Sequence, residues 1–264
     1  MLDDIAAFNK DRWEELSREG VQFGIPWLDL APAEALRRID PEGVPMDAKG
    51  WDVLCLAASG GQQSAAFGLL GARVTVFDIS ETQLEKDRLA AAHYRLELRT
   101  VQGDMRDLSC FAPDSFDVVW QPYSLNYSPV VEPVFREVAR VLRPDGIYEV
   151  TFANPFTQAL DDDSWDGEGY RLRGPYTDGE DVRRYSPIWE VEQSDGSVIA
   201  VDRPHEFRHN LSTVLNALVQ NGFVLLHLQE WSRQADPLEP GSWPHFTQFA
   251  PPWFDSWWRL SEAQ

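Results

Sequence analysis

Between residues 51 and 153 the apolar positions switch repeatedly between a strand period and a helix period. Val53 to Ala57 is a short apolar run closed by Ser59-Gly60-Gly61. A helix follows, with Ala65, Ala66, Leu69 and Leu70 on one face and Gly71 at its end. Val74-Thr75-Val76-Phe77 reads as a β-branched strand ending at Asp78. Ser80 and Gln83 form a capping box for a helix from Glu81 to about His93. Leu98 to Val101 and Phe116 to Trp120 are the next strands, followed by Gly103-Asp104 and by Gln121-Pro122-Tyr123. Val130 to Leu142 is helical by spacing, with Val131, Val134, Phe135, Val138 and Leu142 facing inward. Pro144-Asp145-Gly146 then turns the chain into a strand from Ile147 to Phe152. Strands alternating with helices predict a parallel sheet with helices on both faces.

The flanking segments read differently. Residues 1–48 predict a helical arm or lid, with Phe8, Trp13, Leu16 and Phe23 to Trp27 as its bulky groups and a short helix from Ala33 to Ile39. Residues 49–153 are the core. Residues 154–208 break the rhythm: an acidic run, Asp161 to Asp163, precedes a hairpin from Ser186 to Val201 turning at Asp195-Gly196. This insertion after the fifth strand is the expected acceptor lid. Residues 209–264 resume the core with a helix from Leu211 to Asn221, Gly222, a strand from Phe223 to Glu230 and a Trp-rich tail.

Charge narrows the partners. With 43 acidic and 23 basic residues the net charge is −20, a field that repels a phosphate backbone, so no nucleic-acid partner is expected. No apolar run is long enough for a membrane span. The acidic start, Met1-Leu2-Asp3-Asp4, lacks the features of a signal peptide, which predicts a cytoplasmic protein. Cys55 and Cys110 have no metal-type spacing, and no metal site is expected. Cys55, inside an apolar run, reads as a small buried hydrophobe.

The first strand–turn–helix unit carries the clearest chemistry. A glycine-rich turn admits a ligand close to the backbone, and the helix behind it presents unpaired N–H groups. Asp78, at the end of the second strand, is placed to accept hydrogen bonds from ribose hydroxyls. That pair fits any adenosine-containing ligand. Asp104 follows the third strand, where an acid can accept an adenine amine, and Gln121 starts a loop at the carboxyl end of the central sheet.

Five segments, in order and in register, resemble the class I S-adenosylmethionine-dependent methyltransferases of the type 11, ubiquinone/menaquinone C-methylase-like group. They are Val53 to Gly61, Val76 to Ser80, Gly103-Asp104-Met105, Ser115 to Val119 and Val141 to Gly146. Gly60-Gly61-Gln62-Gln63 resembles a subgroup with this run in its first loop. The resemblance implies a Rossmann-like seven-stranded sheet, six strands parallel and the last antiparallel, the last supplied by Trp253 to Leu260. It implies S-adenosyl-L-methionine as cofactor, with S-adenosyl-L-homocysteine as product. Ala57, Ser59 and Gly61 would lie along its methionine part, Asp78 on the ribose, and Ile79, Asp104 and Met105 at the adenine, with Gln63 and Gly103 also in the cofactor site. Gln121 would begin the loop that reaches the cofactor's amino acid end. The family has an acid where Cys55 stands and glycines at Ala57 and Ser59; the two extra Cβ atoms predict weaker cofactor binding.

Methyl transfer needs alignment of a nucleophile, and a base only when the acceptor loses a proton during attack. Base candidates are Tyr123, with Asn126 and Tyr127 beside it, and Tyr185, His205 and His209 near the insertion; His209 is the foremost. The acceptor is expected to be a small molecule, and eleven Trp residues offer either an apolar or aromatic acceptor pocket or a core and an oligomer interface. A monomer or homodimer is expected. The alternatives are a regulatory or scaffolding protein that binds the cofactor without turnover, and a nicotinamide-dependent oxidoreductase, against which stands the broken GxGxxG pattern.

Overall fold

The computed structural model describes residues 2–20, 24–39, 48–58, 60–192, 197–231 and 238–261. Its centre is a seven-stranded sheet. The first five strands are β1 (Asp52–Leu56), β2 (Arg73–Asp78), β3 (Leu98–Gln102), β4 (Phe116–Gln121) and β5 (Leu142–Ala153). A hairpin, β6 (Ile188–Glu192) with β7 (Val198–Asp202), stands apart; β8 (Phe223–Glu230) and β9 (Trp253–Leu260) complete the sheet. The strand order is β8-β9-β5-β4-β1-β2-β3. Only β9 runs antiparallel, inserted between β5 and β8 with Trp257 opposite Glu149 and Trp258 opposite Tyr148. The expected sheet is therefore present, with the Trp-rich tail as its antiparallel strand.

Alternation along β1 fills both faces. Leu54 and Leu56 join one core with Val119, Val150, Phe152 and Trp258. That core is covered by α5 (Glu132–Val141) and α6 (Leu211–Gln220) through Val134, Phe135, Val138, Val214 and Leu218. Val53 and Cys55 point to the other core with Val74, Val76, Val118, Trp120 and Trp257. It is covered by α2 (Pro32–Ile39), α3 (Gln63–Leu69) and α4 (Glu81–Tyr94). Each fully buried aliphatic side chain in these layers contributes about 2 kcal/mol. Cys55 is wholly buried, and burial pushes its thiol pKa well up, so it serves as a small core hydrophobe.

Several local expectations are refined. Ser80 caps α4, its Oγ accepting from Gln83 N, but Gln83 does not reach back: the Ser80 N–H donates to Asp78 Oδ1 at 2.8 Å. The capping box is thus half formed, because the strand-end aspartate competes for that N–H. α5 starts at Glu132, two positions later than its apolar spacing suggests, since Pro133 sits in its first turn. The fifth strand begins at Leu142, and the Pro144-Asp145-Gly146 turn (Asp145 φ +62°) is a kink inside it, beside the register shift opposite Phe116 and Val118. The Asp195-Gly196 turn of the hairpin lies outside the described residues.

The arm is an α-helix, α1 (Asp4–Arg18), capped by Asp3. It lies over the carboxyl end of the sheet. Asn9 Nδ2 donates to the carbonyls of Tyr127 and His205, and Asn9 Oδ1 accepts from His205 N at 2.7 Å. Glu14 Oε1 accepts from Glu81 N, and Lys86 Nζ donates to the Ser17 carbonyl. The insertion is stapled by buried Arg208, whose Nη1 pairs with Glu180 at 2.7 Å and whose Nη2 donates to the Gln158 carbonyl. No described helix is long and apolar enough to cross a membrane.

Candidate functional site

Sheet order reverses between β1 and β4, and open α/β folds bind ligands in the crevice outside such a point. A cleft lies there, walled by Ala57, Phe77, Asp78, Ile79, Gly103, Asp104 and Met105 and roofed by Ile5, Ala6, Asn9 and Trp13 of α1. A second, larger cavity, of about 530 Å³, opens under the insertion. Trp13, Tyr123 and Tyr127 line both, so these three rings form the throat where the cavities meet. Trp13 and Tyr127 pack edge to face at 5.2 Å, and Tyr123 and Tyr127 at 6.1 Å.

The first cleft is shaped by backbone. Ala57 N donates to the Phe77 carbonyl at 2.7 Å, tying the first loop to the end of β2. Ala57 itself has φ +47°, the left-handed region that glycine adopts without a steric penalty. Gly60 is also left-handed, and a Cβ there would run into Gln83 Oε1. That oxygen is buried without a hydrogen-bond partner among the described residues, and its side chain lines the cleft. A Cβ at Gly103 would collide with the Phe77 ring. The cleft therefore offers a close-approach backbone, a spare acceptor and a strand-end carboxylate, the set an adenosine-bearing ligand requires.

Asp78 is almost fully buried. Burial, reinforced by the charges of Asp87 and Glu14, raises its pKa to about 8 against the lowering by the Ser80 and Ile79 N–H groups. Asp104 binds the Arg106 guanidinium through both oxygens, and Arg106 also pairs with Asp3 at 2.7 Å. Asp87, buried under the first loop, accepts from Gly61 N at 2.8 Å and from Ser64 Oγ. Burial raises its pKa to about 6. It stands close enough to Cys55 to push up that thiol, so α4 places an acid beside the position where β1 lacks one.

The structure brings Ala57, Asp78, Ile79, Gly103, Asp104 and Met105 together on one wall. Gly61, Gln63 and Gln121 line neither cavity. Gly61 is a packing glycine: φ is +80°, and an added Cβ would stand 2.8 Å from the Lys86 carbonyl and 2.9 Å from Pro26. Gln63 begins α3, with Oε1 buried and unpartnered among the described residues. Gln121 lies beneath the wall, donating to Met105 Sδ and Ser124 Oγ (both 3.2 Å) and accepting from the Tyr148 hydroxyl. It supports residues of the cleft from behind. Ser59 lies outside the described residues.

Of the base candidates, Tyr123 stands at the throat and Tyr185 lines the second cavity, donating to Glu180 Oε1 at 3.0 Å. His209 is not in either cavity. It is buried, burial lowers its pKa, and its Nε2 donates to the Ser128 carbonyl at 2.9 Å, fixing the loop after β4. His205 likewise faces away, its Nδ1 on Asp181. The tryptophans divide as both readings allowed: Trp120, Trp257 and Trp258 fill the core, while Trp13, Trp189, Trp243 and Trp253 line the second cavity.

Sequence reading missed Glu206, which receives the Tyr123 hydroxyl, Gln158 Nε2 (2.9 Å) and Arg203 Nη2 (2.6 Å). The polar stretch Arg203 to Asn210, unusually dense just before a helix, was the one signal that could have found it.

The methyltransferase-domain family matches residues 54–150. The uncharacterized methyltransferase YbaJ of Bacillus subtilis is 31% identical over 241 residues, covering 87% of this chain and 91% of its own. A sterol 24-C-methyltransferase of Gibberella zeae is 28% identical over 204 residues, 76% of this chain and 46% of that enzyme. In fold, the chain matches the crystal structure of an S-adenosylmethionine-dependent methyltransferase from Mesorhizobium loti with a TM-score of 0.61. That match has 21% identity and covers 88% of this chain and 100% of that one.

Proposed function

This chain belongs to the S-adenosylmethionine-dependent methyltransferases, and from that premise we propose that it methylates a small molecule seated in the cavity under the insertion. The observation that carries the reading is the shared throat: a cleft suited to the cofactor and an aromatic cavity meet at Trp13, Tyr123 and Tyr127. When bound, S-adenosylmethionine supplies an activated methyl group. The chain's own contribution is to orient it, to align the acceptor and to exclude water.

On this reading Asp78 holds the ribose hydroxyls, Ile79 and Met105 pack on the adenine, Asp104 meets its amine, and the backbone at Ala57 and Gly103 permits close approach. Gly61, Gln63 and Gln121 act from behind, through loop shape and support. Tyr123 is the candidate base, Tyr185 a wall of the acceptor cavity and His209 a brace. The distant sterol relative supports an apolar small-molecule acceptor, as do the Trp13, Trp189, Trp243 and Trp253 walls.

Calorimetry with S-adenosylhomocysteine tests the reading before any acceptor is known. Micromolar binding is expected, weakened about 100-fold by Asp78→Ala, since two charge-assisted hydrogen bonds are lost. NADH is expected not to bind. Tight NADH binding with no S-adenosylhomocysteine binding would overturn the proposal.

A further inference from the structure

We infer that Glu206, acting through the Tyr123 hydroxyl, takes up the proton of a hydroxyl group on a flat, apolar acceptor; this rests on the methyl-transfer reading above. Glu206 is only 2% exposed, yet it lines the acceptor cavity. A carboxylate so buried is costly unless paired. Arg203 pairs with its Oε2 and lies 5.2 Å over the Trp189 ring, while Gln158 Nε2 donates to Oε1. Three donors thus hold one carboxylate at the throat, and the third is Tyr123.

Tyr123 is committed as a donor. Burial, with the negative charge of Glu206 next, pushes its pKa well above the ordinary value, so the phenol keeps its proton and directs it at the carboxylate. Its oxygen lone pairs are then the acceptor sites it has to offer. Because Tyr123 borders both cavities, a group donating to it from the acceptor side lies at the boundary with the cofactor cleft.

The chemistry favours a hydroxyl over an amine. A neutral amine attacks with its lone pair and sheds its proton afterwards, whereas a hydroxyl is a poor nucleophile until its proton is leaving. A buried relay ending in a carboxylate serves the second case. As the acceptor oxygen forms its bond to the methyl carbon, its proton passes to Tyr123 Oη and the Tyr123 proton passes to Glu206. The carbon–sulfur bonding pair stays on sulfur, which leaves as a neutral thioether. The positive charge on sulfur and the negative charge on Glu206 disappear together. The rings of Trp13, Tyr127, Trp189 and Trp253 around this point suit a flat apolar body.

The test uses 2-naphthol and its methyl ether, 2-methoxynaphthalene, with full-length protein saturated with S-adenosylhomocysteine. Calorimetry should show naphthol binding about tenfold tighter than the ether, the worth of one buried hydrogen bond. Tyr123→Phe should erase that preference. Glu206→Gln, whose amide oxygen still accepts from Tyr123, should keep the preference but lower the rate of methyl transfer from S-adenosylmethionine to naphthol by about 100-fold. S-adenosylhomocysteine affinity, expected to stay within about threefold in both variants, separates these effects from a folding defect. Three results would each overturn the inference: no naphthol preference in the wild type, a preference surviving Tyr123→Phe, or Glu206→Gln methylating naphthol as fast as the wild type. Failure of S-adenosylhomocysteine to bind the wild type would instead overturn the methyl-transfer reading beneath it.

Discussion

The two cavities that meet at Tyr123 have walls of different construction. The first cleft, the proposed cofactor site, is walled where strands end: the left-handed Ala57, the bare Cα of Gly103 and the Asp78 carboxyl held by the next two N–H groups. Its wall comes from the ends of three neighbouring strands, tied together by the Ala57 N–H on the Phe77 carbonyl, and its roof comes from α1. The second cavity, proposed to hold the acceptor, is made of side chains delivered from far apart. Glu206 accepts from Tyr123 across 83 positions and from Gln158 across 48, and Trp13 of α1 packs on Tyr127. A backbone-built wall changes little when a surface side chain is replaced. A wall built from distant side chains can be re-lined while the sheet stays as it is, which is how one fold accepts many substrates.

That contrast predicts unequal tolerance at two left-handed glycines. Gly61→Ala adds a Cβ against the Lys86 carbonyl and Pro26 and forces alanine to φ +80°. Left-handed backbone (~1–2 kcal/mol) and overpacking (~1–3 kcal/mol) together cost about 3 kcal/mol. Calorimetric unfolding should show Tm lower by roughly 6–12 °C. Gly167, in the insertion, has φ +98° but open space around it. Gly167→Ala should cost only about 1 kcal/mol. Equal losses at the two positions would show that the insertion is as tightly specified as the core.

A second difference lies in pH. Asp78 has a pKa of about 8 in the free protein, whereas ribose hydroxyls donating to it favour the ionised form. Binding then requires loss of a proton at any pH below 8. Affinity for S-adenosylhomocysteine should rise as pH increases and level off above 8, with a slope approaching tenfold per unit well below 8, or about 50-fold between pH 6 and 8. The linkage sign agrees. A carboxyl whose folded pKa exceeds its unfolded value of about 4 destabilises the ligand-free fold progressively as pH rises through that window, and bound ligand relieves this. Asp78→Asn should flatten both curves; a pH-independent affinity in the wild type would remove Asp78 from the ribose.

The same contrast explains what was legible. The strand–turn–helix units around Gly60, Asp78 and Gly103 rest on local rules: a β-branched run, a cap, a turn glycine. They also placed the antiparallel strand at Trp253 through the resemblance. Direction in space was not legible in the same way. His209, just before α6, looked like a base, but its ring turns inward to the Ser128 carbonyl. Gly61 and Gln121 lie in motif positions yet support the cleft from behind. Glu206 carries only the weak local signal of a polar stretch, because its surroundings come from Tyr123, Gln158 and Arg203, three residues with no common periodicity.

The smallest expected effect concerns the left-handed alanine of the first loop. Ala57 adopts φ +47°. Holding an alanine there costs ~1–2 kcal/mol. Replacing it with glycine removes that strain but gives the unfolded chain more freedom, which offsets ~0.5–1 kcal/mol. Ala57→Gly should therefore stabilise the protein by about 0.5–1 kcal/mol, a Tm rise of roughly 1–4 °C. The Ala57 N–H that donates to the Phe77 carbonyl is retained in glycine. Affinity for S-adenosylhomocysteine should tighten no more than about threefold, because the alanine already holds the conformation a glycine would adopt. A much larger gain would mean that the Cβ itself stands in the ligand's path, and that this chain has given up cofactor affinity at its first loop. A loss of stability would mean that Ala57 packs against α1 strongly enough to outweigh its strain, making the arm part of the cofactor wall.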